Sequence, residues 1–134
     1  MNSQSAKKPL VKLFLVAAIY NFLGAGVPIV DPSRHFEVFF QVTASNDPIL
    51  MMTTQAFWVT VFFFGIGYYM IARDPIHNRG IIWLGAIGKV YVFCLWTWHY
   101  VAGLTAPFAL IGATGDLVFA TLFFLYLKNN PVEN

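Results

Sequence analysis

Four long apolar runs, separated by short polar breaks, make up nearly the whole chain. They cover about residues 10–30, 49–72, 80–101 and 105–127. Each reaches the roughly 20 residues that a helix needs to cross a bilayer. Gly24, Gly26 and Pro28 weaken the far end of the first run. The breaks carry turn or helix-start signals: Asp31-Pro32-Ser33, Ser45-Asn46-Asp47-Pro48, and Gly103 for a tight turn. The connection from Arg73 to Arg79 is too short to cross a membrane and predicts a hairpin, and Lys128-Asn129-Asn130-Pro131 ends the last run. The expected fold is all-α: a four-helix transmembrane bundle, up-down-up-down, forming a single domain over residues 1–134.

Two segments admit more than one reading. Between Asp31 and Asp47, Phe36, Phe39, Phe40 and Val42 alternate with Glu37, Gln41 and Thr43. That spacing fits a short helix lying in the interface with its aromatic side towards lipid. It fits equally a loop that caps the bundle with its rings. At the other end, Met1 to Ala6 is polar and expected to fray. The basic start, Leu10–Leu23 and Gly24-Ala25-Gly26 partly match a signal peptide. Tyr20 and Asn21 interrupt the apolar centre and three further runs follow, so a retained span is expected.

Composition agrees with the pattern. Residues are 58% hydrophobic and 10% charged, against about 25% charged in soluble domains. A soluble globular domain is thereby excluded. The formal net charge is +2 with no basic cluster, which argues against a nucleic-acid partner and makes the lipid bilayer the expected one. Lys7, Lys8, Lys12, Arg73, Arg79 and Lys128 fall on one side of the four-span arrangement and Arg34 on the other. Basic residues in short loops stay inside, so both termini are expected in the cytoplasm. Tyr68, Tyr69, Trp83, Trp98, Tyr100 and Tyr126 stand near span ends, as an interfacial belt would. Cys94, the single cysteine, excludes an internal disulfide and reads as a buried structural thiol.

Two small-residue stretches, Gly85-Ala86-Ile87-Gly88-Lys89 and Gly112-Ala113-Thr114-Gly115-Asp116, each end in a charge inside an apolar run. At 1.5 Å rise per residue, Lys89 lies roughly 13 Å and Asp116 roughly 16 Å from the cytoplasmic end. A lone charge at the bilayer centre costs about 2.5–3.5 kcal/mol. Adjacent antiparallel spans at matching depth therefore predict that Lys89 and Asp116 meet inside the bundle. Asn21 reaches a similar depth and Thr60 lies near the same layer, so each span can supply a polar group. Gly85, Lys89, Val92, Trp96 and His99 recur at helical spacing, and Gly85 is expected opposite Ala120. Two roles fit the pair. It can fix helix register as a structural element, or it can handle a ligand or a proton.

No catalytic motif is present. Gly88-Lys89 lacks the earlier glycine and the following Ser or Thr of a phosphate loop. His35 and His99 can approach each other near the outer surface, but no metal-ligand spacing is met and no metal site is expected. The candidate binding residues are Lys89, Asp116, Asn21, Thr60, Trp96 and His99, with Phe93, Phe119 and Phe123 beside an apolar ligand portion. No cofactor is implied.

Leu15–Asn21, Gly65-Ile66-Gly67-Tyr68-Tyr69, Ala72-Arg73-Asp74-Pro75, Leu84–Lys89 and Gly115–Phe119 together resemble a class of small bacterial four-span inner-membrane proteins, grouped with the DoxX-like and BphX-like families. The resemblance extends over nearly the whole chain. It implies a four-helix bundle in a bacterial cytoplasmic membrane and carries over no catalytic residue. Three functions are expected to compete. The first is a non-enzymatic protein that binds a small hydrophobic or amphipathic molecule. The second is an accessory subunit of a larger membrane complex, where an outward Gly65/Gly67 face would suit a helical partner. The third is a membrane enzyme or proton-coupled carrier that uses Lys89/Asp116 and needs a homo-oligomer.

Overall fold

The computed structural model describes residues 3–41 and 47–131, with side chains from Val11 onward. Val42, Thr43, Ser45 and Asn46, and the side chains of Lys7 and Lys8, lie outside the described residues. Five helices follow one another: α1 Ser3–Val30, α2 Pro32–Phe40, α3 Pro48–Arg73, α4 Arg79–Val101 and α5 Pro107–Asn129. Four of them are long and apolar enough to cross a membrane. The protein is an all-α, multi-pass membrane protein with an up-down-up-down bundle.

Local chemistry sets the boundaries. Asp31 and Asp47 each cap a helix whose first residue is proline, accepting from Arg34 N (3.1 Å) and Ile49 N (2.9 Å). The aspartate satisfies an orphan N–H, and proline lacks the N–H that would otherwise be unpaired there. Gly103, at φ +73°, takes the left-handed turn between α4 and α5. The helix of α1 starts at Ser3, well ahead of the apolar run, where fraying is expected from the sequence.

α2 joins features of both sequence alternatives. It is a helix, but its aromatic side turns into the bundle. His35 and Phe36 are buried, and Phe39 packs on Trp58, Trp96 and Phe108. The Phe39 carbonyl accepts from Ala106 N at 2.7 Å, which ties α2 to the start of α5.

α1 lies along α3, and α4 along α5; the two pairs meet mainly through side chains. Between the pairs, the half near the basic end is filled. Phe14, Tyr68, Ile71, Ile82 and Phe123 are at most 1% exposed. Phe14 and Tyr68 both pack on Phe123, tilted and edge-on, at centroid distances of 5.0 and 5.1 Å. Lipid tails are as apolar as these side chains, so close packing rather than exclusion from water holds this plug together. At the same end Arg79 donates to the carbonyls of Leu127 (2.9 Å) and Asn130, joining the start of α4 to the finish of α5.

Several sequence expectations are corrected here. Tyr68 (1% exposed) and Tyr126 (7%) belong to the core and not to the interfacial belt, whereas Tyr69, Trp83, Trp98 and Tyr100 are exposed. Cys94 is exposed on the outer face of α4, not buried. Gly65 and Gly67 face inward, where an added Cβ would lie 2.6 Å from the Phe22 ring and 3.0 Å from Ile81. The space beside Gly85 is occupied by the Tyr68 ring.

Candidate functional site

Above the plug, the four long helices meet in one polar layer. Lys89 of α4 is 5% exposed, and its Nζ donates to Asp116 Oδ1 of α5 at 2.5 Å and to Asn21 Oδ1 of α1 at 3.1 Å. Asn21 Nδ2 in turn donates to the Val61 carbonyl of α3 at 3.0 Å. The third helix therefore enters the layer through its backbone. Thr60 does not supply that group, because its hydroxyl returns to Ala56 O in its own helix at 2.9 Å. Thr60 still lines the cavity described below.

Three ring faces complete the surroundings of the ammonium. Tyr20, Tyr68 and Phe119 hold their centroids 5.1, 5.4 and 5.4 Å from Nζ. Electron-rich ring faces attract a cation, more strongly where water is excluded. The glycines make room for two of these rings. Tyr20 OH donates to Gly112 O at 2.5 Å, and a Cβ on Gly115 would stand 2.7 Å from the same hydroxyl. A Cβ on Gly85 would stand 2.7 Å from the Tyr68 ring. The small-residue stretches thus admit aromatic struts from the opposite helix pair.

A cavity of about 640 Å³ opens above this layer, within the 300–1,000 Å³ usual for ligand pockets. Lys89, Asp116, Asn21 and Tyr68 line its floor; Trp58, Trp96 and Phe108 line its walls; Arg34 and His35 of α2 stand at its far end. Asp116 gives one oxygen to Lys89; its other oxygen makes no hydrogen bond among the described residues. The floor thus presents one free acceptor on a neutralised ion pair. Leu23 of α1 and Ile111 of α5 also line the cavity, yet are 75% and 70% exposed outwards. The cavity therefore reaches the lipid-facing surface between α1 and α5.

Of the sequence-predicted residues, Lys89, Asp116, Asn21, Thr60 and Trp96 share this cavity. His99 lies instead on a second cavity of about 570 Å³ between α2, α3 and α4, whose walls include Trp96 and His35. Phe119 touches the site through Lys89, while Phe123 sits in the plug and Phe93 lines neither cavity. Sequence reasoning missed Tyr20, Tyr68, Trp58 and Arg34; it singled out His35 only as a neighbour of His99, with which it lines the second cavity. Burial lowers the His35 pKa to about 4. Its Nε2 accepts from Trp58 Nε1 at 3.4 Å, and its buried Nδ1 has no partner among the described residues. Among the described residues no group of three or more His, Cys, Asp or Glu could hold a metal.

No family model, curated protein or solved structure matches this chain.

Proposed function

We propose that this protein binds a small hydrophobic or amphipathic molecule in the cavity between its helix pairs and catalyses no reaction. The observation that carries the reading is the one-ended cavity itself. It has apolar walls, few convergent polar groups at its floor, and a side open to lipid. That combination is the usual recipe of a ligand pocket. By the resemblance of the chain and the basic residues gathered at one end, we place it in a bacterial cytoplasmic membrane with both termini inside.

The competing readings have less support. A proton-coupled carrier needs access from both sides, and the basic end is closed by side chains at most 1% exposed. An accessory subunit is suited by an outward small-residue stripe, and Gly65/Gly67, the candidate for it, are packed inward. Native mass spectrometry from mild detergent tests the reading. The wild-type chain is expected to retain a stoichiometric small molecule, and Val92→Trp, which fills the cavity wall, is expected to lose it. Retention of nothing by the wild type, or equal retention by both, overturns the proposal. The same spectrum reports whether the protein is a homo-oligomer.

A further inference from the structure

The two ends of the cavity differ in charge chemistry. The floor is neutral, since Lys89 and Asp116 cancel. The opposite end carries Arg34, which lines the cavity and is exposed. Among the described residues the ion pairs are His77–Asp74 and Lys89–Asp116, so the Arg34 guanidinium has no carboxylate partner. Asp31, which caps α2, and Glu37 on α2 make no ion pair with it: Asp31 instead accepts from the Arg34 backbone N–H. On the adjacent position, the His35 side chain is 4% exposed and lines the same cavity. Since His35 Nε2 accepts from Trp58, Nδ1 bears the proton, and that donor is unpartnered. The Arg34 guanidinium, a full positive charge, therefore stands at this end of the cavity without a carboxylate, while the buried His35 Nδ1 is closed off from the cavity.

We infer that the cavity holds a single-chain amphiphile with an anionic head, the head at Arg34 and the apolar chain lying between Trp58, Trp96 and Phe108. The inference rests on the ligand-binding reading above and adds the class and orientation of the ligand. An acidic head supplies the acceptor that the Arg34 guanidinium lacks, and hydrogen bonds between charged groups are the stronger kind. The chain matches the apolar walls. From Phe108 to Asp116 on α5 the lined stretch is about 12 Å long, and the cavity volume of about 640 Å³ limits how much apolar chain it can bury. The lipid-facing gap flanked by Leu23 and Ile111 is a route for such a molecule from the bilayer.

Two tryptophans on the walls, Trp58 and Trp96, provide the readout. Trp83 and Trp98 are exposed, so the full chain would carry Trp83→Phe and Trp98→Phe to silence them. Fluorescence quenching in detergent micelles would be titrated with chain-brominated fatty acid, the matching lysophosphatidate, and the neutral monoacylglycerol. Saturable quenching by one or both anionic probes is expected, and comparison of the two separates a carboxylate from a phosphate head. Arg34→Gln should weaken it about tenfold, and Arg34→Lys should recover most of that loss. Equal saturable quenching by the neutral probe, unchanged in Arg34→Gln, overturns the anionic-head inference and leaves ligand binding standing. Quenching that never saturates with any probe overturns ligand binding itself.

Discussion

Removing Asp116 alone from the buried pair should cost far more than removing both members. In Asp116→Leu the Lys89 ammonium loses its carboxylate at 2.5 Å and keeps only Asn21 and three ring faces, in a site where Lys89 is 5% exposed. Breaking a buried pair from one side costs about 3–5 kcal/mol, and a charge at the bilayer centre costs about 2.5–3.5 kcal/mol on the insertion scale. The two routes agree on about 3–4 kcal/mol for this variant. Lys89→Met should cost less, about 2 kcal/mol, since the Asp116 side chain is 16% exposed and faces the cavity. The double variant leaves no charge, only an Asn21 oxygen without its donor, a loss of about 1–2 kcal/mol. The coupling in the cycle is therefore about 4 kcal/mol. Reversible unfolding by SDS titration in mixed micelles would measure all four proteins. A double variant destabilised by the full sum of the single variants would refute the reasoning, because it would make the two side chains independent. A loss under about 1 kcal/mol in Asp116→Leu would refute it differently, by showing that the pair is solvated.

Three further outcomes are expected. His35 is held at a pKa of about 4 by burial against an ordinary value of about 6.5, so the unfolded chain takes up a proton first as pH falls. Stability should be unaffected above about pH 6.5, decline by up to about 3 kcal/mol towards pH 4, and then level; the rings of Phe36, Phe39, Phe40 and Trp58 around it do not titrate. His35→Phe should flatten that part of the unfolding midpoint–pH curve, and an unchanged slope would assign it elsewhere. Gly115→Ala should lose about 1–3 kcal/mol by driving a Cβ to 2.7 Å from Tyr20 OH, whereas Gly88→Ala meets nothing within 4 Å and should be neutral or slightly stabilising in the same SDS assay. Cys94, being exposed on a membrane-crossing helix, should react in intact membranes with an apolar maleimide and resist a charged one; silence towards both before denaturation would mean that it is packed.

How much the sequence revealed varied from helix to helix, for a physical reason. Helices that are apolar all round have almost no hydrophobic direction, so their rotation about the axis cannot be read from apolar spacing. A charge or amide at depth does set it. Lys89, Asp116 and Asn21 must face inward, so the layer joining α4, α5 and α1 was legible from depth alone. α3 carries no such marker near its centre, and two misreadings fall there: Thr60 as a member of the polar layer and Tyr68 as part of the belt. Cys94 is a different case. It lies five residues from Lys89, or about 140° around the helix at 3.6 residues per turn, so its outward position followed from a rotation already fixed. The starts of α2 and α3 were readable to within a few residues because Asp-Pro at 31–32 and 47–48 is a strong start signal, whereas the start of α1 at Ser3 was not. The division into a filled half and an open half was not readable. It depends on which glycine receives which ring, and spacing along one helix does not identify its partner across the gap.

That division makes transport a question with a direct answer. Protons moving between the two sides would have to pass from the Asp116 oxygen facing the cavity through Phe14, Tyr68, Ile71, Ile82 and Phe123, among which Tyr68 is the sole side chain with a polar atom. A proton relay needs successive hydrogen-bonding groups, and aliphatic and phenyl packing offers none. The protein reconstituted in liposomes with an internal pH dye should therefore hold an imposed gradient as well as protein-free vesicles do. Lys89→Met should hold it equally, since the barrier lies in the plug and not in the pair. Gradient collapse in the wild type that is abolished by Asp116→Asn would show that the plug opens, and the carrier reading would replace the binding one.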